Sequence, residues 1–185
     1  MVEMHNRFKR IFVGFDALKE GFWGACRLVI SLDECFLKSE VGDQLLSAVG
    51  RDRNNHIFPI CWVVVKGENE DSWRWFLIKL TKHLTIADGF GWIMITDQQT
   101  DLQNTVRAFM SNVEHRNYAR HLYANWKKKH GGYALKNFFW KVAKSTTEVE
   151  FNEHMYEMKV NSENKGVLVN SENQGMQVNS KNRGV

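Results

Sequence analysis

The sequence predicts a mixed α/β domain in which helices flank a central sheet. Two observations carry the prediction: three strands precede an alternation of helix and strand, and two aspartates each close an apolar run. Asp33 follows Leu28–Leu32, and Asp97 follows Trp92–Thr96. Because such a strand holds its terminal carboxylate rigidly beside a cleft, the two acids suggest the beginning of a divalent-metal site.

The composition is that of a folded domain of ordinary size. Hydrophobic residues make up 43% and aromatic residues 12% of the 185 residues, which is enough for a real core. A net charge of +4 is compatible with a nucleic-acid partner. No apolar run approaches the ~20 residues of a membrane span, and the N-terminus lacks a signal-peptide core. We therefore expect no membrane partner.

The three cysteines have no CxxC spacing, which indicates reduced thiols in an intracellular protein.

The N-terminal elements are predicted to be one helix and three strands. Within residues 7–27 an apolar stripe at helical spacing indicates a helix that glycines end. Residues 28–38, 44–52 and 56–65 read as strands. A polar link rich in turn formers joins the last two strands, which predicts an antiparallel hairpin. Pro59 in the third strand predicts an edge position or a bulge.

The elements after the hairpin alternate between helix and strand. A helix over residues 71–84 has one apolar face, with Asp71 or Ser72 as its N-cap. Residues 92–96 predict a fourth strand, and a helix follows it. Residues 113–118 predict a short fifth strand. This order of elements is that of a ribonuclease-H-like fold, in which the first and fourth strands are neighbours.

The C-terminal part is predicted to change from helix to low-complexity sequence. Residues 120–144 form a basic, aromatic pattern of two helices, and another helix covers 147–158. A nine-residue repeat then begins at Val160, Val169 and Val178. Its polar Asn- and Gly-rich composition predicts disorder. A short β-solenoid is the rival interpretation, although three rungs would bury little apolar surface.

Several stretches of the chain resemble plant Mutator-like element (MULE) transposases in order and spacing. They are KEGFWGACRLVISLDECFLK, QLLSAVGRDRNNHIFPICWVVVKGENEDSWRWFL, GWIMITDQQTDL, EHRNYARHLYANWKKKH and LKNFFWKVAKST. These transposases have a ribonuclease-H-like core and cut and join DNA with two aspartates and a glutamate. The resemblance therefore implies that Asp33 and Asp97 are catalytic residues and metal ligands, with Mg²⁺ or Mn²⁺ as the cofactor.

The chain departs from the family pattern at three places. Glu34 stands where the family usually has Gly, and Tyr118 stands where it commonly has Cys before the retained His121. The family's catalytic glutamate is expected further downstream, beyond a helical insertion. Glu163 and Glu172 of the repeats lie in the wrong context for it. We therefore expect that the third acid is absent and that the chain is inactive. Since the chain nevertheless resembles a family of enzymes, the sequence does not decide whether it is an enzyme.

The resemblance also implies a domain organisation and partners. It divides the chain into an N-terminal helical remnant (1–27), the ribonuclease-H-like core (28–118), the start of a helical insertion (119–158) and the disordered repeat tail (159–185). The expected fold class is thus α/β, a ribonuclease-H-like mixed sheet with flanking helices. DNA at transposon ends is the implied partner and the nucleus the implied location, and a homo-oligomer is compatible with the family.

Two further groups of charged residues have open interpretations. A basic, aromatic segment reads either as a DNA-phosphate-contacting face or as the solvated side of amphipathic helices; its candidate DNA-binding residues are Arg116, Arg120, Lys127, Lys128 and Lys129. Glu34 is expected to point away from Asp33, because side chains alternate along a strand. Residues 68–71 are expected to form a solvated turn and helix start.

The function predicted from the sequence is therefore that of a truncated MULE transposase domain. Its ancestral activity would be metal-dependent DNA cleavage and strand transfer. The alternative is a domesticated, non-catalytic module that binds DNA or protein. A fragment without function is a third interpretation.

Overall fold

The computed structural model describes residues 9–37, 43–130 and 133–163. The chain divides into two compact units, Met1–Arg116 and Asn117–Val185, which are treated separately below. The predicted domain boundaries stay predictions.

The described residues up to 117 form a mixed arrangement of strands and helices. In chain order these are β1 (Arg10–Gly14), α1 (Asp16–Ala25), β2 (Cys26–Phe36), β3 (Gln44–Asp52), β4 (Ile57–Val65), α2 (Glu70–Leu84), β5 (Ile93–Thr96), α3 (Thr100–Phe109) and β6 (Glu114–Asn117).

The six strands make one sheet in the order β1-β4-β3-β2-β5-β6. Pairs β1–β4, β4–β3 and β3–β2 are antiparallel, whereas β2 and β5 are parallel. The predicted ribonuclease-H-like mixed sheet is confirmed, including the contact between its first and fourth predicted strands, which are β2 and β5. The additional strand β1 lies at the sheet edge beside β4.

Pro59 produces the predicted bulge within the β3–β4 hairpin. The register shifts between Ala48, which is opposite Cys61, and Val49, which is opposite Pro59. The pairing of β1 with the other side of β4 ends at Gly14, opposite Cys61, so Pro59 lies beyond it. The bulge and the end of this pairing both accommodate the missing amide N–H of proline.

The prediction of helix is wrong for residues 10–14. They form β1, whose aromatic and β-branched side chains lie along β4. A short apolar run is compatible with either a helix or a strand. Here the run forms a strand because it pairs with the edge of β4. The helix that follows, α1, passes through Gly21 and Gly24 to Ala25 and does not end at either glycine.

Asn69 begins α2, so the predicted N-caps, Asp71 and Ser72, are wrong. The Asn69 side chain accepts a hydrogen bond from the Ser72 backbone N–H at 2.9 Å. The apolar face predicted for this helix is buried against the sheet. Its residues are Trp73, Phe76, Leu77, Leu80 and Leu84.

Gly50 of β3 is predicted to tolerate a side chain far less well than Gly24 of α1. A Cβ at Gly50 would lie 2.7 Å from Cε2 of Phe22, a ring that is 0% exposed. Gly50→Ala should therefore destabilise the fold by about 1–3 kcal/mol. Gly24→Ala meets nothing within 4 Å and should stabilise its helix by about 0.5–1 kcal/mol. Urea unfolding of both variants checks the prediction, and effects of the same sign would contradict it.

The second unit contains three described helices, α4 (Ala119–Lys129), α5 (Tyr133–Ala143) and α6 (Glu148–Glu163). Their buried residues are Trp126, Leu135, Phe139, Val142 and Met158. The predicted C-terminal helix continues into the first repeat. The rest of the repeat tail, and with it the prediction of disorder, lies outside the described residues. In the part of the chain that the structure describes, no helix combines the length and the hydropathy of a membrane span.

Candidate carboxylate site for a metal ion

The sheet topology places Asp33 and Asp97 at the same end of two neighbouring strands. Ser31 of β2 is opposite Ile95 of β5 in the parallel pair. Asp33 follows Ser31 by two positions within β2, and Asp97 follows Ile95 by two positions, directly after the end of β5. Adjacent strands lie about 4.8 Å apart, and both aspartates are half-buried. The strands of the two acids are neighbours, as the order of elements predicted.

Asp33 is held within the strand. It lies opposite Ser47 of β3, whose Oγ donates to the Asp33 carbonyl at 3.2 Å. Its Oδ1 accepts a hydrogen bond from the Glu34 backbone N–H at 3.1 Å. Strand pairing therefore fixes the backbone from which the carboxylate projects.

Asp97 is held by the turn between β5 and α3. Its Oδ1 accepts a hydrogen bond from the Gln99 backbone N–H at 3.0 Å. Its carbonyl accepts hydrogen bonds from Thr96 Oγ1 at 2.8 Å and from Gln103 Nε2 at 3.3 Å. Gln99 occupies the N-cap position of α3, so Asp97 orders the preceding turn and is not the N-cap.

His115 of β6 supports this turn from the neighbouring strand. Its Nε2 lies 2.8 Å from Thr96 Oγ1. Burial and then the Arg107 charge lower the pKa of His115, which favours the neutral imidazole. Since Thr96 donates to the Asp97 carbonyl, the His115 Nε2–H donates to Thr96. No local sequence pattern reveals this contact, because it joins two strands across the sheet.

Glu34 is the residue after Asp33 in β2 and lies opposite Leu46 of β3. That its side chain points away from Asp33 stays a prediction. Its pKa is nevertheless raised to about 7, first by burial and then by the charges of Glu68, Asp97 and Asp33. The Glu34 carboxyl therefore lies within electrostatic reach of the other acids.

Glu68 is half-buried, whereas Asn69, Glu70 and Asp71 are exposed, as expected for a solvated turn and helix start. Burial raises the pKa of its carboxyl most, and the charges of Asp97 and Asp33 raise it further. Hydrogen bonds from Trp73 and Gln99 oppose the rise. The sequence places Glu68 in a polar loop. It does not reveal the tertiary hydrogen bonds with Trp73 and Gln99.

The acids suit a hard divalent cation in charge and ligand type. Carboxylate oxygen is the ligand that Mg²⁺ and Mn²⁺ prefer. Within the described ranges, no salt bridge to Lys or Arg neutralises any of the four acids Asp33, Glu34, Glu68 and Asp97. Among those same residues, however, no three His, Cys, Asp or Glu side chains are grouped closely enough to hold a metal ion. The donor chemistry therefore fits a cation, while a compact three-ligand cluster is not formed.

The predicted DNA-contacting residues fall in both units. Arg116 of the first unit pairs with Glu114 at 2.6 Å. In the second unit Arg120, Lys127 and Lys128 are exposed on α4, and the Lys129 side chain lies outside the described residues. Arg120 and Lys127 are two helical turns apart and so share one face of α4.

The family model described as MULE transposase domain matches residues 29–125, slightly more than half of the chain. No curated protein matches. Solved structures with similarity include the Mos1 transposase catalytic domain with raltegravir and Mn, at 13% identity and a TM-score of 0.35, covering 77% of this chain and 84% of that one. They also include the Mos1 mariner paired end complex with Mn, at 12% identity and a TM-score of 0.32, covering 84% of this chain and 61% of that one.

Proposed function

The chain belongs to the MULE transposase domain family, and on that premise we propose that it acts in metal-dependent cleavage and joining of DNA. Asp33 and Asp97 are the proposed metal ligands, with Mg²⁺ or Mn²⁺ as the ion. The single observation that supports this role best is the parallel register of β2 and β5, which pairs Ser31 with Ile95, two positions before each aspartate.

The protein residues have separate tasks in this proposal. Asp33 offers a carboxylate from the centre of the sheet, and Asp97 offers one from a turn held by three hydrogen bonds. A divalent ion held by Asp33 and Asp97 would activate water and stabilise the leaving oxygen of a phosphodiester. The contact between His115 and Thr96 orients Asp97 through its backbone carbonyl. DNA of transposon ends is the proposed substrate, and a nuclear location and self-association are proposals from the family alone.

Asp97→Asn is predicted to remove metal-dependent nicking of supercoiled DNA by the purified chain. The variant keeps the size of the side chain and loses the charge that binds the ion. Loss of an outer-shell partner of a metal ligand lowers metal affinity about 10–100-fold. Loss of a ligand itself should lower the affinity for Mn²⁺ by at least as much. Asp101→Asn is the matched control, because Asp101 is exposed in the first turn of α3. Nicking that persists in Asp97→Asn would refute the assignment.

The same preparation distinguishes the alternative of a non-catalytic DNA-binding module. The exposed Arg120, Lys127 and Lys128 of α4 favour that alternative, since lysine and arginine clusters bind phosphates without reading sequence. It predicts salt-sensitive DNA binding that survives Asp97→Asn and is accompanied by no nicking. Changing Lys127, Lys128 and Lys129 together would then weaken DNA binding.

A further inference from the structure

The outer face of α2 is basic from the second turn of the helix to its last. Arg74, Ile78 and Lys82 follow one another at a spacing of four residues, so they share one face of the helix, and all three are exposed. Lys79 is half-buried on the flank of this face. Residues 72–87 include no acidic residue. Along this stretch the helix therefore presents positive charge without an acid of its own to balance it.

Trp75 holds two cations beside this face. Cζ of Arg10, from β1, lies 4.9 Å from the centroid of the Trp75 ring, and Nζ of Lys79 lies 5.5 Å from the same centroid. Both distances are within the ~6 Å of a cation–π contact. Trp75 itself is half-buried and packs against the core. The ring therefore limits the movement of both charged side chains.

A third cation is held from the side of α3. Cζ of Arg74 lies 5.6 Å from the centroid of the Phe109 ring, and Phe109 packs against the core. Among the residues that the structure describes, Arg74, Lys79 and Lys82 form no salt bridge with an acid, whereas Arg10 pairs with Asp71 at 3.0 Å. The charges of α2 are thus positioned by aromatic rings and remain open to an anion.

The arrangement of these charges does not serve the stability of the helix. Lys79 and Lys82 are three residues apart and are therefore neighbours on the helix surface, where like charges repel. Lys79 also shares the Trp75 ring with the cationic Arg10. A ligand that carries a row of negative charges would relieve this repulsion.

The spacing of the cations fits the backbone of a nucleic acid. Arg74 and Lys82 are two turns apart, about 12 Å along the helix axis. One strand of B-DNA carries a phosphate about every 3.4 Å along the duplex axis, so the face matches roughly three to four nucleotides of one strand. Exposed lysine and arginine side chains bind such phosphates without reading the base sequence.

The basic face begins near the turn that carries Asp97. Trp73 precedes Arg74 in α2, and its Nε1 donates to Gln99 Oε1 at 3.1 Å. The backbone N–H of Gln99 in turn donates to Asp97 Oδ1 at 3.0 Å. A DNA strand that follows α2 towards the N-terminus of the helix therefore approaches Asp97.

We propose that the outer face of α2, formed by Arg74, Lys79 and Lys82 with Arg10 on its flank, binds backbone phosphates of duplex DNA. The inference rests on the proposed function, because it assigns to the first unit a surface that holds the DNA substrate. This surface is separate from the predicted DNA-contacting residues of α4.

The test is the salt dependence of DNA binding by the full chain, measured in EDTA by fluorescence anisotropy of a short labelled duplex of arbitrary sequence. Each phosphate contact contributes about 0.9 to the slope of log K against log salt, so Arg74→Gln with Lys82→Gln should lower the slope by about 1.8. Arg53→Gln with Lys144→Gln is the matched control. It removes the same net charge from exposed positions and should leave the slope unchanged.

The outcomes distinguish this inference from the proposed function. Because EDTA removes divalent ions, Asp97→Asn should not weaken this binding. Equal slopes for the two double variants, or no DNA binding by the unaltered chain, would overturn the inference. Nicking by the unaltered chain would still support the proposed function in the case of equal slopes. A lower slope for the α2 variant in a chain that does not nick DNA would support the inference and overturn the proposed function.

Two further measurements complete the test. Should the α2 variant fail to fold by circular dichroism, Lys79→Gln with Lys82→Gln takes its place and should lower the slope by the same amount. Poly-glutamate should compete with the labelled duplex far less well than unlabelled DNA at the same concentration of charge. Equal competition would instead assign the face to an acidic protein and overturn the inference.

Discussion

Asp33→Asn is expected to stabilise the metal-free protein slightly and to remove most of the stability that Mn²⁺ adds. The charges of Glu68, Asp97 and Asp33 all raise the pKa of Glu34, so neutralising Asp33 relieves repulsion. That gain should be about 0.2–1 kcal/mol, the range of solvent-screened charge pairs. Mn²⁺ binding increases the free energy of unfolding of the unaltered chain. At a hundred times its dissociation constant, the ion adds about 2.7 kcal/mol. A hundredfold weaker site keeps only about 0.4 kcal/mol of this.

Urea unfolding with EDTA and with Mn²⁺ measures both effects in one experiment. The curves of Asp33→Asn should nearly coincide under the two conditions, whereas those of the unaltered chain should separate. Asp101→Asn again serves as the control, because Asp101 is exposed on α3, and it should show the full Mn²⁺ increment. An equal Mn²⁺ increment in Asp33→Asn and the unaltered chain would rule out Asp33 as a ligand.

The parts of the fold that could be predicted are those with a local cause. An apolar run that ends in a carboxylate identified the strands of Asp33 and Asp97, and the order of elements made those strands neighbours. The polar link before Ile57 predicted the hairpin, and Pro59 predicted the bulge. Each of these signals lies within a few residues of the feature that it determines.

The parts that could not be predicted depend on contacts between distant residues. Residues 10–14 become a strand because β4 has a free edge, which no helical or strand periodicity in those residues reveals. Glu68 has a fixed hydrogen-bond partner because Trp73 on the following helix donates to it and to Gln99, which is far along the chain. In the same way, His115 reaches Thr96 only because β6 lies beside β5.

Trp73 links the core to the proposed site, so changing it should affect both. Trp73→Ala removes a ring that is 0% exposed and should cost about 3–5 kcal/mol of stability. Trp73→Phe retains a buried ring but loses the indole N–H that Glu68 and Gln99 accept. It should cost less than Trp73→Ala and should still weaken Mn²⁺ binding. Urea unfolding and Mn²⁺ titration of the two variants check this order.

A double-mutant cycle of Trp73→Phe with Glu68→Gln separates the hydrogen bond from ring packing. Hydrogen bonds to charged groups contribute about 1.5–3 kcal/mol, and Glu68 is only half-buried, so we expect a coupling free energy of about 1 kcal/mol. The loss of packing appears in both arms of the cycle and cancels. Trp73→Phe with Glu70→Gln should show no coupling, since Trp73 makes its side-chain hydrogen bonds to Glu68 and Gln99. If both cycles gave zero, the hydrogen bond from Trp73 to Glu68 would contribute nothing to stability, and Trp73 would stabilise the fold through packing alone.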